Sequence, residues 1–267
     1  MRRLIAGMVL VAGAGLAASA ARAQQTPSRH AIDYEQLYTK REVLIPMRDG
    51  VRLHTTVYAP KDTVHRHPIV LTRTPYGTGP YGADTFPGFF RHSWIPVFAS
   101  HLRAGYIFVY QDVRGRWLSE GVFVNARPYI AQKRSSRDVD ESTDAYDTVD
   151  WLIQNVPGNN GRVGVRGTSY PGFYAAMAAI DAHPAVKVVA PAAPVTEWMG
   201  GGDDFFHNGA LLLAHTFDFF ADFGRPRPVP TSAETPAFDH GTPDGYTFCL
   251  HGRCRRMRAT CDEYTSR

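Results

Sequence analysis

Between residues 40 and 190 the spacing of apolar positions changes several times, and each change marks an element. Glu42-Val43-Leu44-Ile45-Pro46-Met47 and the alternating run Val51 to Tyr58 flank Arg48-Asp49-Gly50. Alternation on both sides of an Asp-Gly turn predicts a β-hairpin. Pro68 to Arg73 and Gly105 to Tyr110 are continuous apolar runs, the pattern of strands buried on both faces. The stretch from Tyr76 to His101 is rich in Gly, Pro and aromatics and predicts a long loop with room for one helix. From about Thr143 to Val156 the apolar residues 145, 149, 152, 153 and 156 share one helical face. A β-branched run then meets Gly167-Thr168-Ser169-Tyr170-Pro171-Gly172, and a helical run of small residues follows from Phe173 to Ile180. Val186 to Ala190 predicts one more strand.

An antiparallel start followed by alternating strands and helices predicts an α/β fold with a mostly parallel open sheet. In such sheets ligands sit at the carboxyl ends of the strands. Tyr76, Asp112, Ser169 and the segment after Ala190 all follow predicted strand ends, which would bring them to one edge. Strand, tight turn with a central serine, then helix is the layout of a nucleophile elbow. The turn lifts the hydroxyl clear of the sheet, and the helix N-terminus favours negative charge developing beside it. The same residues would also make a plain Gly/Pro turn with Ser169 as a helix N-cap.

Beyond Gly224 the periodicity stops. Residues 225–267 hold five prolines, seven arginines and all three cysteines (Cys249, Cys254 and Cys261), and predict no strand or helix. Cys249 and Cys254 could pair as a disulfide, and an odd count leaves one thiol over. The spacing lacks the ligand pairs of a zinc site, so no metal is expected.

The chain has 267 residues, 44% of them hydrophobic, ample for a core. Arg2 and Arg3, the apolar stretch Leu4 to Leu16 and Ala21-Arg22-Ala23 read as a secretory signal over residues 1–23, with Gln24 as the mature start. The apolar stretch is short for a membrane span. The expected location is therefore secreted or periplasmic, without membrane attachment after cleavage. That leader takes three of the 29 basic residues and none of the 25 acidic ones, so the formal charge of +4 falls to about +1. No concentrated basic face remains, which argues against a nucleic-acid partner.

Several segments together resemble a known family: Leu71-Thr72-Arg73-Thr74-Pro75-Tyr76, Gln111-Asp112-Val113-Arg114-Gly115-Arg116, Ser119-Glu120-Gly121, Asp144 to Trp151, Gly161-Arg162-Val163-Gly164, and the elbow written G-x-S-Y-x-G. These resemble the α/β-hydrolases of the cocaine-esterase (CocE/NonD) and X-Pro dipeptidyl-peptidase type. Gly202 to Ala210 looks most like the α-amino-acid ester hydrolases and glutaryl-7-aminocephalosporanic-acid acylase within it.

The resemblance implies a serine hydrolase acting on small-molecule esters or amides of α-amino acids, β-lactam acyl groups among them, through an acyl-enzyme and without cofactor. Ser169 would be the nucleophile. The Tyr170 backbone N–H and the Tyr76 hydroxyl would form the oxyanion hole. Asp203, with Asp204 as the weaker choice, would bind the substrate's α-ammonium group. Asp112, Arg114 and Arg116 would be structural. The family's triad Asp and His, later strands, helical cap and C-terminal β-sandwich have no counterpart here. Asp239 or Asp244 with His251 has the right order but no strand to place it, and His207 and His215 fall on a predicted helix. The expected organisation is thus signal 1–23, flexible segment 24–39, an incomplete α/β-hydrolase domain 40–224, and an unmatched tail 225–267. The chain itself would be an inactive fragment of a parent that could be a homo-oligomer. An X-Pro dipeptidyl-peptidase, a cocaine-esterase-like enzyme and a non-catalytic remnant with a binding role are the alternatives.

Overall fold

The hairpin forms where the alternation places it. β1 (Tyr38–Pro46) and β2 (Arg52–Pro60) pair antiparallel, closing with Pro46 opposite Arg52. Met47 N–H donates to the Val51 carbonyl at 2.8 Å, and Gly50 takes φ +87°, a conformation that costs a side chain but not glycine. The computed structural model describes residues 34–88, 96–196, 205–207, 210–221 and 241–250. Residues 1–33, which include the expected signal, and Asp203, Asp204, Asp239, His251, Cys254 and Cys261 lie outside the described residues, as does the Cys249 side chain.

β2 passes antiparallel to β4 (Ile107–Asp112). β4 runs parallel to β3 (His67–Thr74), β3 to β5 (Asn159–Thr168), and β5 to β6 (Val186–Ala192). The six strands lie in the order β1-β2-β4-β3-β5-β6. All parallel strands therefore end on one edge, at Thr74, Asp112, Thr168 and Ala192.

The helices α2 (Pro96–Arg103), α3 (Glu141–Asn155) and α4 (Tyr170–Met177) form the crossovers. α3 begins two residues before the apolar pattern does. Asp140 caps it, accepting from the N–H groups of Ser142 and Thr143, while the Thr143 hydroxyl reciprocates on Asp140 N–H. β4 starts two residues late because Gly105, at φ +71°, closes the turn after α2; a Cβ there would come within 2.8 Å of the His67 ring.

One face of the sheet packs Ile45, Leu53, Ile69, Leu71, Val109, Val163 and Val165 against Ala145, Val149 and Leu152 of α3 and Ala175 of α4. Each fully buried aliphatic side chain contributes about 1.5–3 kcal/mol relative to exposure. A second cluster joins Tyr34, Tyr38, Tyr58, Leu102 and Phe108. Among the described residues, regular structure thus includes residues 34–39, which were expected to be a flexible segment. The short helix α1 (Tyr34–Leu37) and the first residues of β1 are held by burial of Tyr34 and Tyr38, whose hydroxyl donates to the Tyr106 carbonyl at 3.0 Å.

Two expectations after β6 change. His207 lies on a short strand, β7 (Phe206–His207), paired with β8 (Ala210–Leu211), not on a helix. His215 does sit on a helix, α5 (Leu213–Ala221). The segment after Gly224, read as free of regular structure, contains α6 (Gly245–Leu250), which packs on α5 and buries Phe248. The apolar residues of α6 are too few to show a period, so only the packing partner reveals the helix. Among the described residues no helix is long and apolar enough to cross a membrane.

Candidate active site

Ser169 stands at the bend between β5 and α4 with φ +61° and ψ −124°. A non-glycine residue held there costs about 1–3 kcal/mol and persists only where its surroundings over-determine it. Those surroundings are almost all backbone. Ser169 N–H donates to the Ala192 carbonyl at the end of β6 (2.9 Å), and the Ser169 carbonyl accepts from Phe173 N–H (3.1 Å). A Cβ on Gly167 would lie 2.0 Å from the Pro171 carbonyl oxygen, and one on Gly172 2.7 Å from that of Ala192. Both glycines are therefore demanded by close approach of main chain to main chain. Ser169 occupies the N-cap position but its side chain makes no capping hydrogen bond, and the residue is exposed. The hydroxyl is thus not spent on the helix end, as the plain-turn reading requires.

Tyr76 follows β3 on the same edge. Its N–H donates to the Thr74 hydroxyl at 3.1 Å, and its ring meets that of Tyr170 edge-on, with centroids 6.3 Å apart at 86°. The residue is 48% exposed, so the phenol is reachable from solvent beside the elbow. Partial burial raises its pKa above the usual tyrosine value, which keeps the hydroxyl a donor at neutral pH.

Side chains from distant segments hold the loop that carries Tyr76. Arg116 Nε and Trp117 Nε1 both donate to the Pro75 carbonyl, at 3.1 and 3.0 Å. Gly77, at φ +101°, lies against the Trp117 indole. The Tyr81 hydroxyl donates to the buried carboxylate of Asp112 (3.0 Å) and accepts from Thr78 N–H (3.1 Å). His54 Nδ1 lies 3.3 Å from the same carboxylate. Burial raises the Asp112 pKa, offset by His54 and Tyr81. Asp112 and Arg116 thus support the turn, in keeping with their expected structural part.

Beneath both segments lies a charged layer that sequence reasoning did not single out, except for Arg114. Arg73 is fully buried; it donates to Gln111 Oε1 at 2.8 Å and to Glu141 Oε2 at 3.1 Å, and its guanidinium lies 5.7 Å from the centre of the Tyr174 ring. Arg114 joins Asp144 (2.6 Å) to Asp49 (2.7 Å). Desolvation pushes the Glu141 carboxyl up to about 7 although Arg73 opposes the shift. The signal was present: Ile69, Leu71 and Arg73 alternate on one face of β3, so the period that buries the first two buries the arginine as well.

His54, His67, His183 and His215 all have other placements. His54 stands on β2, three strand steps from β5 and so about 14 Å across the sheet. His67 begins β3 at the opposite edge, His183 precedes β6 and receives Ala185 N–H (3.0 Å), and His215 stacks on Phe205 (5.5 Å). The Asp244 carboxylate caps α6 by accepting Thr247 N–H (2.7 Å). Among the described residues no group of three or more His, Cys, Asp or Glu could hold a metal ion. A cavity of about 510 Å³ is lined by Leu37, Pro60, Arg66, His67, Leu102 and Gly105 at the amino edge of the parallel strands. That is the edge opposite Ser169, and the elbow geometry, not the cavity, marks the site.

A strained serine on a strand-to-helix bend, at the carboxyl edge of this mixed sheet with its antiparallel start, defines the α/β-hydrolase class. The chain belongs to the X-Pro dipeptidyl-peptidase (S15) family, whose pattern it matches over residues 49–238. The match runs past Gly224, further than the sequence segments alone suggested. The chain is 34% identical over 165 residues to cocaine esterase of Rhodococcus sp. (strain MB1 Bresler), covering 60% of this chain and 25% of that protein. Its fold is similar to a solved α-amino acid ester hydrolase (TM-score 0.58, 42% identity, 76% of this chain and 32% of that one). It is also similar to an aminopeptidase from the marine sediment archaeon Thaumarchaeota archaeon (TM-score 0.62, 36% identity, 83% and 35%). The chain thus spans between a quarter and about a third of the length of these relatives.

Proposed function

We propose that this chain carries the nucleophile and the oxyanion donors of a serine hydrolase that cleaves esters or amides of α-amino acids. The observation that carries the reading is Ser169 itself, held at φ +61° with its hydroxyl exposed and uncapped at the start of α4. In the reaction Ser169 Oγ bonds to the acyl carbon, its proton passes to a general base, and the carbonyl oxygen becomes an oxyanion facing the Tyr170 N–H and the Tyr76 hydroxyl. Collapse breaks the ester or amide bond, and the leaving alcohol or amine takes the proton. Water then releases the acid and restores Ser169. Each donor that tightens on the oxyanion is worth about 3 kcal/mol of barrier. The general base and its orienting acid are to be sought outside the described residues.

Selection for a free α-amino group is supported by the company the sequence keeps. An α-amino acid ester hydrolase and an aminopeptidase are among the similar solved structures, and both names refer to substrates of amino-acid type. Asp203 is the residue proposed to pair with the ammonium. The reading places the mature protein in a secreted or periplasmic location, starting at Gln24, which N-terminal sequencing of exported material checks.

The test is labelling with a fluorophosphonate probe followed by digestion. Modification at Ser169, absent in Ser169→Ala, supports the reading; a folded sample that takes no label at Ser169 leaves a non-catalytic protein. Esters with and without a free α-amino group then separate amino-acyl specificity from the cocaine-esterase type. Equal turnover of both, or no effect of Asp203→Asn, removes the ammonium assignment.

A further inference from the structure

Ser169 is not the only strained residue at this edge. Ala126, in the loop between β4 and α3, takes φ +43°, another left-handed conformation on a residue with a Cβ. One side chain connects the two. The Tyr170 hydroxyl accepts from Ala126 N–H at 2.6 Å and donates to Asn125 Oδ1 through a short hydrogen bond. Its ring, 3% exposed, stacks on Tyr174 (5.2 Å, 18°) and meets Tyr76 edge-on.

We infer that Asn125 is a positioning residue: with the Ala126 N–H it clamps the far end of the Tyr170 side chain and thereby fixes the direction of the Tyr170 backbone N–H beside Ser169. The inference rests on the proposed role of that N–H as an oxyanion donor. The clamp acts by leverage. Tyr170 follows the strained residue directly, so the peptide between them turns whenever the Tyr170 Cα moves. Ring packing alone restrains sliding poorly, whereas a hydroxyl held by one donor and one acceptor fixes the end of the lever. The loop that supplies both partners is itself tied down elsewhere. Ile130 N–H donates to Asp140 Oδ2 (2.8 Å) and the Tyr129 hydroxyl to Asp181 (2.9 Å). Losing the Asn125 contact therefore loosens the clamp without freeing the loop. An oxyanion donor swung by a fraction of an ångström costs rate and leaves ground-state binding almost untouched.

The test compares Asn125→Leu, which removes the acceptor, with Asn125→Asp, which keeps it. Two readouts are taken on the full chain: the rate of fluorophosphonate acylation at Ser169, and amide hydrogen exchange at residues 126 and 170–173. The expected result is acylation slowed about tenfold in Asn125→Leu and restored to within about twofold in Asn125→Asp. Faster exchange at 126 and 170–173 should accompany it, with the melting transition retained. Wild-type protein that labels, with Asn125→Leu labelling at the same rate, overturns the clamp while leaving the nucleophile in place. Wild-type protein that does not label overturns the hydrolase reading instead. The clamp is then judged on exchange alone: faster exchange at 170–173 in Asn125→Leu supports it, and unchanged exchange overturns it.

Discussion

Ser169 and Tyr76 reach the same edge of the sheet by different physical means. The serine is fixed by main chain: a strand end, two glycines crowded by carbonyl oxygens, and hydrogen bonds to Ala192 and Phe173. The tyrosine is fixed by side chains from segments far away in sequence, with Arg116 and Trp117 on the Pro75 carbonyl and Tyr81, Asp112 and His54 behind the loop. A bend built from backbone tolerates almost no change at the residues that make it. A loop built from several side chains can lose one and keep its course. Both constructions carry a strained residue, Ser169 at φ +61° in the first and Trp117 at φ +52° in the second, so what separates them is whether main chain or side chains hold the position.

The sharpest test of the contrast is Ser169→Ala. It should abolish probe labelling and reduce ester turnover by on the order of 10⁴–10⁶-fold without loss of folding. Labelling that survives at another serine breaks the assignment of the bend as the reactive region.

Next in size is Gly167→Ala. Its Cβ would sit 2.0 Å from the Pro171 oxygen, so the bend must rebuild, and denaturant unfolding should show a loss of about 3 kcal/mol or more. Gly158→Ala is the control for backbone strain without crowding. Unlike Gly167, that glycine has positive φ (+75°), but nothing lies within 4 Å of a Cβ, so it should cost only about 1 kcal/mol. Equal losses at the two sites would mean that crowding does not hold the bend.

Tyr76→Phe removes one hydroxyl from the side-chain-built region. It should slow Ser169 acylation by about 10²-fold while the melting temperature stays put, because the ring and the Pro75 contacts remain. A large drop in stability with unchanged acylation would make Tyr76 a packing residue.

The smallest effect concerns the layer that both regions share. Arg73 stands three residues before Tyr76 and reaches Tyr174 on α4, and Glu141 is its carboxylate partner. Burial raises the Glu141 pKa from 4.5 to about 7. The folded protein then holds a proton that the unfolded chain has released, so this contribution is complete below about pH 4.5 and is lost as pH rises through about 7. Wild-type stability should fall by about 1–3 kcal/mol more across that window than the stability of Glu141→Gln. Parallel curves for the two proteins would show that Glu141 carries no shifted proton.

Much of the sheet was legible before any coordinates. The Asp-Gly turn, the two buried-type runs, the helical face at 145, 149 and 152 and the Gly-Thr-Ser-Tyr-Pro-Gly bend are local patterns, and each produced its element, with ends shifted by up to about four residues. The misses were of another kind. Tyr34 and Tyr38 sat in a stretch read as flexible, because two tyrosines show no period until Leu102 and Phe108 come to meet them. The short strand at His207 and the helix at Gly245–Leu250 exist through a pairing partner and a packing partner. Asn125 and Ala126 carried no signal at all, since an exposed Asn-Ala in a loop looks like any other.

What the sequence determined by itself is the bend. Gly167 is required by its contact with Pro171, four residues on, at the foot of the bend, whereas the Gly172 contact and the Ser169 N–H both reach across to Ala192 at the end of β6. What only the tertiary structure decided is the company that the serine keeps. Tyr76, the Asn125 loop and the Arg73–Glu141 layer arrive from strands and turns tens of residues away, brought together by the order β2-β4-β3-β5. The crowding at Gly167 is a local property, written in neighbouring residues. The convergence of side chains is a property of strand order, which short-range patterns do not encode.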